Sequence, residues 1–375
     1  MLTQFSIDNF RTFKHLNVPK LARVNLISGK NNAGKTALLE AVYLHLAEFD
    51  QTAVYFVLQE RDEYRSRQVA KYSFTAFRYF YFNHLVNTGS KSLRLQSDLA
   101  KQRILIGSEY VERSREKGRL EHNFDTQLFD DMSAELVLEN AINSEEGVYF
   151  LLESDGQVVR AISPVISDNN RSHYRQAYRG DRKLSIGGTA PIQFVSSKSD
   201  NPSSLEILWG NISLSPLEQH VIEALQIIEP RITDLRFVVV ERDERIPLVK
   251  LSNQDEPVTL KSMGDGLSRI FEIILRMVNA KDGTLLIDEF ENGLHWSVQA
   301  DIWKVIFTLA ETLNIQLFAT THSNDCIACF GDFWQMHPEL ASFHRLERRA
   351  DDNIVAVSYH PDDINNALEM HVEVR

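Results

Sequence analysis

Four short stretches of this chain carry residues fit for chemistry on a polyphosphate. The first is Gly29-Lys30-Asn31-Asn32-Ala33-Gly34-Lys35-Thr36, with the glycine and Lys-Thr spacing of a phosphate-binding P-loop. In such a loop the backbone N–H groups of Gly29, Asn31, Asn32, Ala33, Gly34 and Ala37 face an anion, and the dipole of the following helix adds to the attraction. Lys35 then reaches the β- and γ-phosphates, and the Thr36 hydroxyl ligates Mg²⁺. The second stretch is Asp288-Glu289, two adjacent acids. Neighbouring positions on a strand point to opposite sides, so the two are expected to divide the work. Asp288 would hold Mg²⁺ through its water shell, and Glu289 would polarise the attacking water. His322, in Thr320-Thr321-His322-Ser323, is placed to hydrogen-bond a γ-phosphate and that water; the plainer reading is a structural histidine. The fourth stretch, Ser262-Met263-Gly264-Asp265-Gly266, is a second glycine turn that offers backbone N–H groups.

Each stretch sits where an α/β protein would display it. Val24–Ile27 reads as a buried strand leading into the P-loop, and Ala37–Val42 as the helix leaving it. Thr284–Ile287 and Ile315–Ala319 are apolar strands that end at the acid pair and at the Thr-Thr-His run, the carboxyl ends where parallel sheets bind ligands. Leu267, Ile270, Phe271, Ile274 and Val278 mark one face of a helix that begins at the second glycine turn. One bound nucleotide has no use for that turn in the same subunit. A dimer does, if the turn of one copy closes over the phosphate held by the other.

Before the P-loop, Leu2, Phe5, Ile7, Phe10 and Phe13 recur among polar residues and predict two or three strands. Arg11 there reads as a solvated charge, the alternative being a contact with the nucleotide. Residues 50–100, rich in aromatics and arginine, predict a helical excursion, followed by strands at 134–138, 147–152 and 157–160. The basic, tyrosine-containing stretch Arg171–Lys183 reads as a loop, or alternatively as a phosphate-backbone or partner contact. A strand at Pro191–Ser197 re-enters the core, and Ser215-Pro216 and Glu229-Pro230 bracket a helix. The domain plan is therefore 1–49 and 191–375 as two parts of one core, with an inserted helical and β lobe at 50–190.

Composition is that of an ordinary soluble globular protein, with 43% apolar and 25% charged residues. A formal charge of −12 argues against a uniformly basic DNA-coating surface while leaving room for a local basic groove. No apolar run has membrane-spanning length, and the first residues lack a signal-peptide layout, so a cytoplasmic location without membrane partners is expected. Cys326 and Cys329 stand alone in an apolar segment and read as buried and reduced, rather than as a redox pair or half of a metal site.

Taken together and in this order, the motifs resemble the ABC-type ATPase superfamily: Walker A at Gly29–Thr36, a signature turn at Ser262–Gly266, Walker B at Leu285–Glu289, then a D-loop-like segment and a switch histidine at His322. The wording IDEFENGLHWSVQ and FATTHSNDC looks closest to the OLD-family and SMC-like AAA-type ATPases of bacteria, many of which act in anti-phage defence or DNA maintenance. The resemblance covers about residues 1–49 and 190–360. It implies an α/β P-loop NTPase of ABC-head type with an N-terminal β-rich subdomain, ATP and Mg²⁺ as ligands, and ATP hydrolysis. It also implies a head-to-head homodimer or higher homo-oligomer, with the site roles falling on Lys35, Thr36, Asp288, Glu289 and His322 and, across the dimer, on Ser262, Gly264 and Gly266.

The sequence departs from the family at several points. The transporter signature LSGGQ is absent, its serine aligning with either Ser262 or Gly264, and Gln51, Gln59 and Gln193 compete for the Q-loop position. The insertion between the Walker motifs lacks the heptads of an SMC coiled coil. The chain ends soon after the ATPase core, past a hairpin around Asp351–Asn353, so nucleic-acid cleavage is expected of a separate protein. The expected function is an ATPase whose cycle controls a partner effector, a nuclease or other toxic enzyme, or a contact with DNA, in anti-phage defence. The alternatives are the ATP-binding subunit of a membrane transporter and a slow ATP-gated scaffold.

Overall fold

Residues 24–29, 284–287 and 316–320 are buried at every position, as strands covered on both faces must be. Their side chains alternate between two cores. Leu26, Leu285, Ile287, Leu317 and Ala319 face one, and Ile27, Leu286 and Phe318 face the other. The computed structural model describes residues 1–63, 77–85, 92–113, 120–125, 148–162, 190–197, 202–239 and 245–364. The expected strand at 134–138, the basic stretch 171–183 and the last residues of the chain lie outside them.

In chain order the strands are β1 (Phe5–Phe10), β2 (Phe13–Val18) and β3 (Val24–Gly29), followed by helices α1 (Lys35–Leu46) and α2 (Gln51–Glu60). Next come β4 (Leu93–Ser97), β5 (Lys101–Arg113), β6 (Leu120–Asp125), β7 (Val148–Ser154), β8 (Gln157–Ile162) and β9 (Ile192–Val195). Helices α3 (Pro202–Ile212) and α4 (Pro216–Ile228) lead to β10 (Ile232–Val239), β11 (Arg245–Leu251) and β12 (Val258–Thr259). Then follow α5 (Asp265–Asn279), β13 (Thr284–Ile287), α6 (Gln299–Thr312), β14 (Gln316–Thr320), α7 (Asn324–Met336), β15 (Ala341–Arg348) and β16 (Ile354–Ser358).

The central six-stranded sheet runs β16-β15-β3-β14-β13-β9. All its pairs are parallel except β15 with β16, so the carboxyl ends of β3, β13 and β14 emerge on one edge. α1 is covered nearly all round, with even Glu40 and His45 buried, and it lies between this sheet and a seven-stranded antiparallel one. That second sheet joins β1 and β2 to β4–β8 through the β1–β4 pair, in which Ile7 faces Leu95. On the opposite face of the central sheet, α5, α6 and α7 pack in the other core. Leu267, Ile270, Phe271, Ile274 and Val278 of α5 are all buried, as their spacing predicts. Ser215 caps α4 by accepting from the Leu217 N–H at 3.2 Å, and Pro216 opens it. Among the described residues no helix is long and apolar enough to cross a membrane.

Candidate functional site

The loop after β3 bends through two glycines that no other residue replaces without strain. Gly29 has φ 149°, and a Cβ on it would lie 2.7 Å from the Leu346 carbonyl oxygen. Gly34 has φ 91°, and a Cβ there would meet the Phe13 ring at 2.7 Å. Between them Lys30, Asn31 and Asn32 are exposed while Ala33 and Ala37 are buried, so the loop is anchored at its ends and open at its crest. Lys35 Nζ folds back to donate to the carbonyls of Gly29 at 2.6 Å and Lys30 at 3.2 Å. Burial lowers the affinity of that ammonium for its proton, against the opposing pull of Asp288, Glu291 and Glu289. Those three acids therefore share one neighbourhood with the P-loop lysine.

Across the sheet edge the Thr36 hydroxyl donates to Asp288 Oδ2 at 2.9 Å. Thr320, at the end of β14, donates to Asp288 Oδ1 at 2.7 Å and accepts from the Glu289 N–H at 2.9 Å. The start of α1 and the ends of β13 and β14 thus converge on one carboxylate. A hydroxyl and a carboxylate are the hard oxygen donors Mg²⁺ takes when it keeps several waters and phosphate oxygens. Among the described residues no group of three or more His, Cys, Asp or Glu is placed to hold a metal ion. Glu289 does not obey the strand alternation that separates it from Asp288 in the sequence reading. β13 ends at Ile287, Glu289 turns to φ 50°, and both acids line one cavity of about 220 Å³ with Thr36, Glu40, Arg61 and Ser196. Among the described residues no glutamine lines that cavity, and Gln193 of β9 accepts from Arg276 at 3.1 Å.

Arg11 is not a solvated charge. It is 8% exposed, and its guanidinium lies 2.5 Å from Glu40 and 2.9 Å from Glu63. Arg61 takes the other Glu40 oxygen at 2.6 Å. Burial pushes the Glu40 carboxyl up, and the two guanidiniums pull it back down. The P-loop helix is therefore pinned by a buried charge cluster whose members come from three separate parts of the chain.

His322 follows β14 and is half-exposed, with Nδ1 2.7 Å from Glu291 Oε1. Ser323 caps α7 by accepting from the Cys326 N–H at 3.3 Å, so this turn has a defined shape. Both cysteines are free, Cys326 fully buried and its thiol pushed up by burial, and Cys329 half-buried.

The turn Ser262–Gly266 is not brought into the cavity beside Thr36. Gly264, at φ 111°, precedes α5 with open space around it, and the Ser262 hydroxyl is spent on the Thr259 carbonyl at 2.7 Å. Ser262 and Gly264 are exposed, and a Cβ on Gly266 would lie 3.1 Å from the Gly293 carbonyl oxygen. One residue unnoticed in the sequence links this turn to the acids: Arg269 of α5, buried, donates to the Asp288 carbonyl at 3.4 Å and pairs with Glu272 at 3.1 Å. Arg276 meets Glu272 in turn at 3.4 Å. Ionisable residues at 269, 272 and 276 on a helix of otherwise apolar burial were the available signal.

Residues 1–146 match the family described as "AAA ATPase domain", and residues 200–327 match "AAA domain, putative AbiEii toxin, Type IV TA system". An "ATP/GTP phosphatase" of Helicobacter pylori is 24% identical over 336 residues, which span 87% of this chain and 86% of that protein. A 43-residue stretch is 46% identical to the "DNA replication and repair protein RecF" of Nitrosococcus oceani, 12% of each chain. Among solved structures, an SMC head bound to the C-terminal winged-helix domain of ScpA superposes with a TM-score of 0.50, covering 97% of this chain and 99% of that one at 10% identity. The fold is that of an SMC-head-like α/β P-loop NTPase.

Proposed function

We propose that this chain, an ATPase of the AAA/SMC-like type, works as half of a nucleotide clamp, in which two copies close head to head over two ATP molecules. The observation that carries the reading is the division of parts within one subunit. Thr36, Asp288 and Glu289 share a cavity, while the exposed turn at Ser262–Gly266 stays outside it. A second copy supplies the missing turn. On binding, Lys35 exchanges the Gly29 and Lys30 carbonyls for the β- and γ-phosphates, and backbone N–H groups from Gly29, Asn31 to Gly34 and Ala37 hold the rest. Mg²⁺, taken by Thr36 and Asp288, would neutralise charge on the phosphate oxygens. Glu289 orients the attacking water and accepts its proton, and His322 hydrogen-bonds the γ-phosphate. The turn of the partner, through Ser262, Gly264 and Gly266, covers that phosphate from the other side.

The cycle of closing and opening then controls a separate effector or a contact with DNA, in an anti-phage role of the kind the OLD family has. The description of the matched domain as a toxin of a toxin–antitoxin system supports a defence setting. Two measurements test the proposal. Light scattering of Glu289→Gln with ATP should give a dimer mass, and of Lys35→Ala with ATP a monomer mass; equal masses in both would sink the clamp. ATPase activity measured alone, with DNA, and with the product of the neighbouring gene should rise in one condition, and no rise in any would remove the effector reading.

A further inference from the structure

Glu291 lies beyond the acid pair, and one of its oxygens is committed twice. Its Oε1 accepts from the His322 backbone N–H at 2.7 Å and lies 2.7 Å from His322 Nδ1. The carboxylate side chain is 11% exposed and the imidazole 52%, so a sheltered acid holds an accessible ring. Glu291 Oε2 is buried with no hydrogen-bond partner among the described residues. Its charge also acts on Lys35, so Glu291 lies within electrostatic range of the P-loop.

This geometry has a consequence for the ring. The 2.7 Å approach of Nδ1 to the carboxylate seats that edge of the ring against Glu291, and Nε2 is left as the ring nitrogen away from it. The bond to the backbone N–H fixes the second coordinate, the height of the His322 peptide above the end of β14. A ring clamped at both its backbone and Nδ1 has little rotamer freedom left, although half of its surface is open.

We infer that Glu291 is a positioning residue for ATP hydrolysis: it orients His322 so that Nε2 points to the γ-phosphate. The inference rests on the proposed role of His322, and the test separates the two. Parental protein, His322→Ala, Glu291→Ala, the double variant and Glu291→Gln are compared for kcat, KM for MgATP and melting temperature. His322→Ala and Glu291→Ala should each lower kcat by about 10²-fold, the low end for losing a positioned catalytic group, with KM nearly unchanged. The double variant should be no slower than His322→Ala, because residues acting as one unit are not additive. Glu291→Gln should retain most of kcat, since its amide oxygen still accepts from the His322 backbone N–H and occupies the same place beside Nδ1, and it keeps the side-chain shape if Glu291→Ala proves unstable.

Parental kcat in Glu291→Ala and Glu291→Gln beside a slow His322→Ala overturns the inference and leaves the role of His322 standing. Losses that multiply in the double variant overturn it too, as does a Glu291→Gln protein that folds normally and is as slow as Glu291→Ala. Parental kcat in His322→Ala overturns the role of the histidine and this inference with it.

Discussion

The Thr36 hydroxyl and the Asp288 carboxylate, 252 positions apart in sequence, are 2.9 Å apart in space. The fold brings the start of one helix to the end of one strand. Thr320 completes the arrangement by donating to the other Asp288 oxygen at 2.7 Å. Thr320→Val keeps the β-branched shape and removes that hydrogen bond together with the one the hydroxyl accepts from the Glu289 N–H at 2.9 Å. Outer partners of metal ligands are worth roughly 10–100-fold in metal affinity. The Mg²⁺ concentration for half-maximal ATPase activity should rise by about that factor in a magnesium titration at saturating ATP.

Lys35 is stored on two loop carbonyls, so Lys35→Ala removes a ligand for phosphate without uncovering a buried acid. Binding of a fluorescent ATP analogue should weaken by on the order of 10-fold or more, as for loss of a charge-assisted hydrogen bond. Glu289→Gln should bind the analogue at the parental level while hydrolysis falls by about 10²–10⁴-fold. Weak binding in Glu289→Gln would reverse the two assignments.

Gly34→Ala tests the bend itself. The left-handed φ of 91° and the 2.7 Å approach of Phe13 act together, one on the backbone and one on the side chain. Strain of about 1–3 kcal/mol is expected from the backbone alone, and crowding adds to it. Urea unfolding should show the loss, and ATP binding should be lost with it.

Arg269 joins α5 to the Asp288 carbonyl from a buried position. Arg269→Ala leaves Glu272 with Arg276 alone, so the loss should approach the ~3 kcal/mol end of the range for breaking a buried pair. Replacing both residues of the pair, as Arg269→Met with Glu272→Leu, should recover much of that stability in urea melts. Unchanged stability in the single variant would show that the pair is not buried in solution.

Two histidines set the acid limit of the fold. Burial holds His45, bound to Gln102 at 2.9 Å, and His344, bound to Ser358 at 3.0 Å, each down to about 4. The unfolded chain protonates near the usual 6.5 and so binds more protons between the two values. The stabilisation is complete above about pH 6.5 and is lost as pH falls towards 4, on the order of a few kcal/mol per histidine. His45→Gln should flatten this part of the stability–pH curve.

The strands and the P-loop were legible because their signals are local. Apolar runs such as Leu285–Ile287 need no partner to be recognised, and the face of α5 is written in the spacing of Leu267, Ile270, Phe271, Ile274 and Val278. Arg11 was misread because the groups that neutralise it, Glu40 and Glu63, come from distant turns of the chain and leave no periodic trace near it. The acid pair failed differently. Alternation holds only while a strand lasts, and the positive φ of Glu289 comes after β13 has ended. Arg269 escaped because a basic residue on an apolar helix gives no hint of the carbonyl it will meet.

A Cβ on Gly266 would crowd the Gly293 carbonyl at 3.1 Å, so the start of α5 and the loop beyond Glu289 pass close to one another. Two backbones in contact, with Arg269 bolted across them, have no compliant layer to absorb a shift. The rim at Gly264 and the acids at the end of β13 are thus tied by backbone proximity and by Arg269.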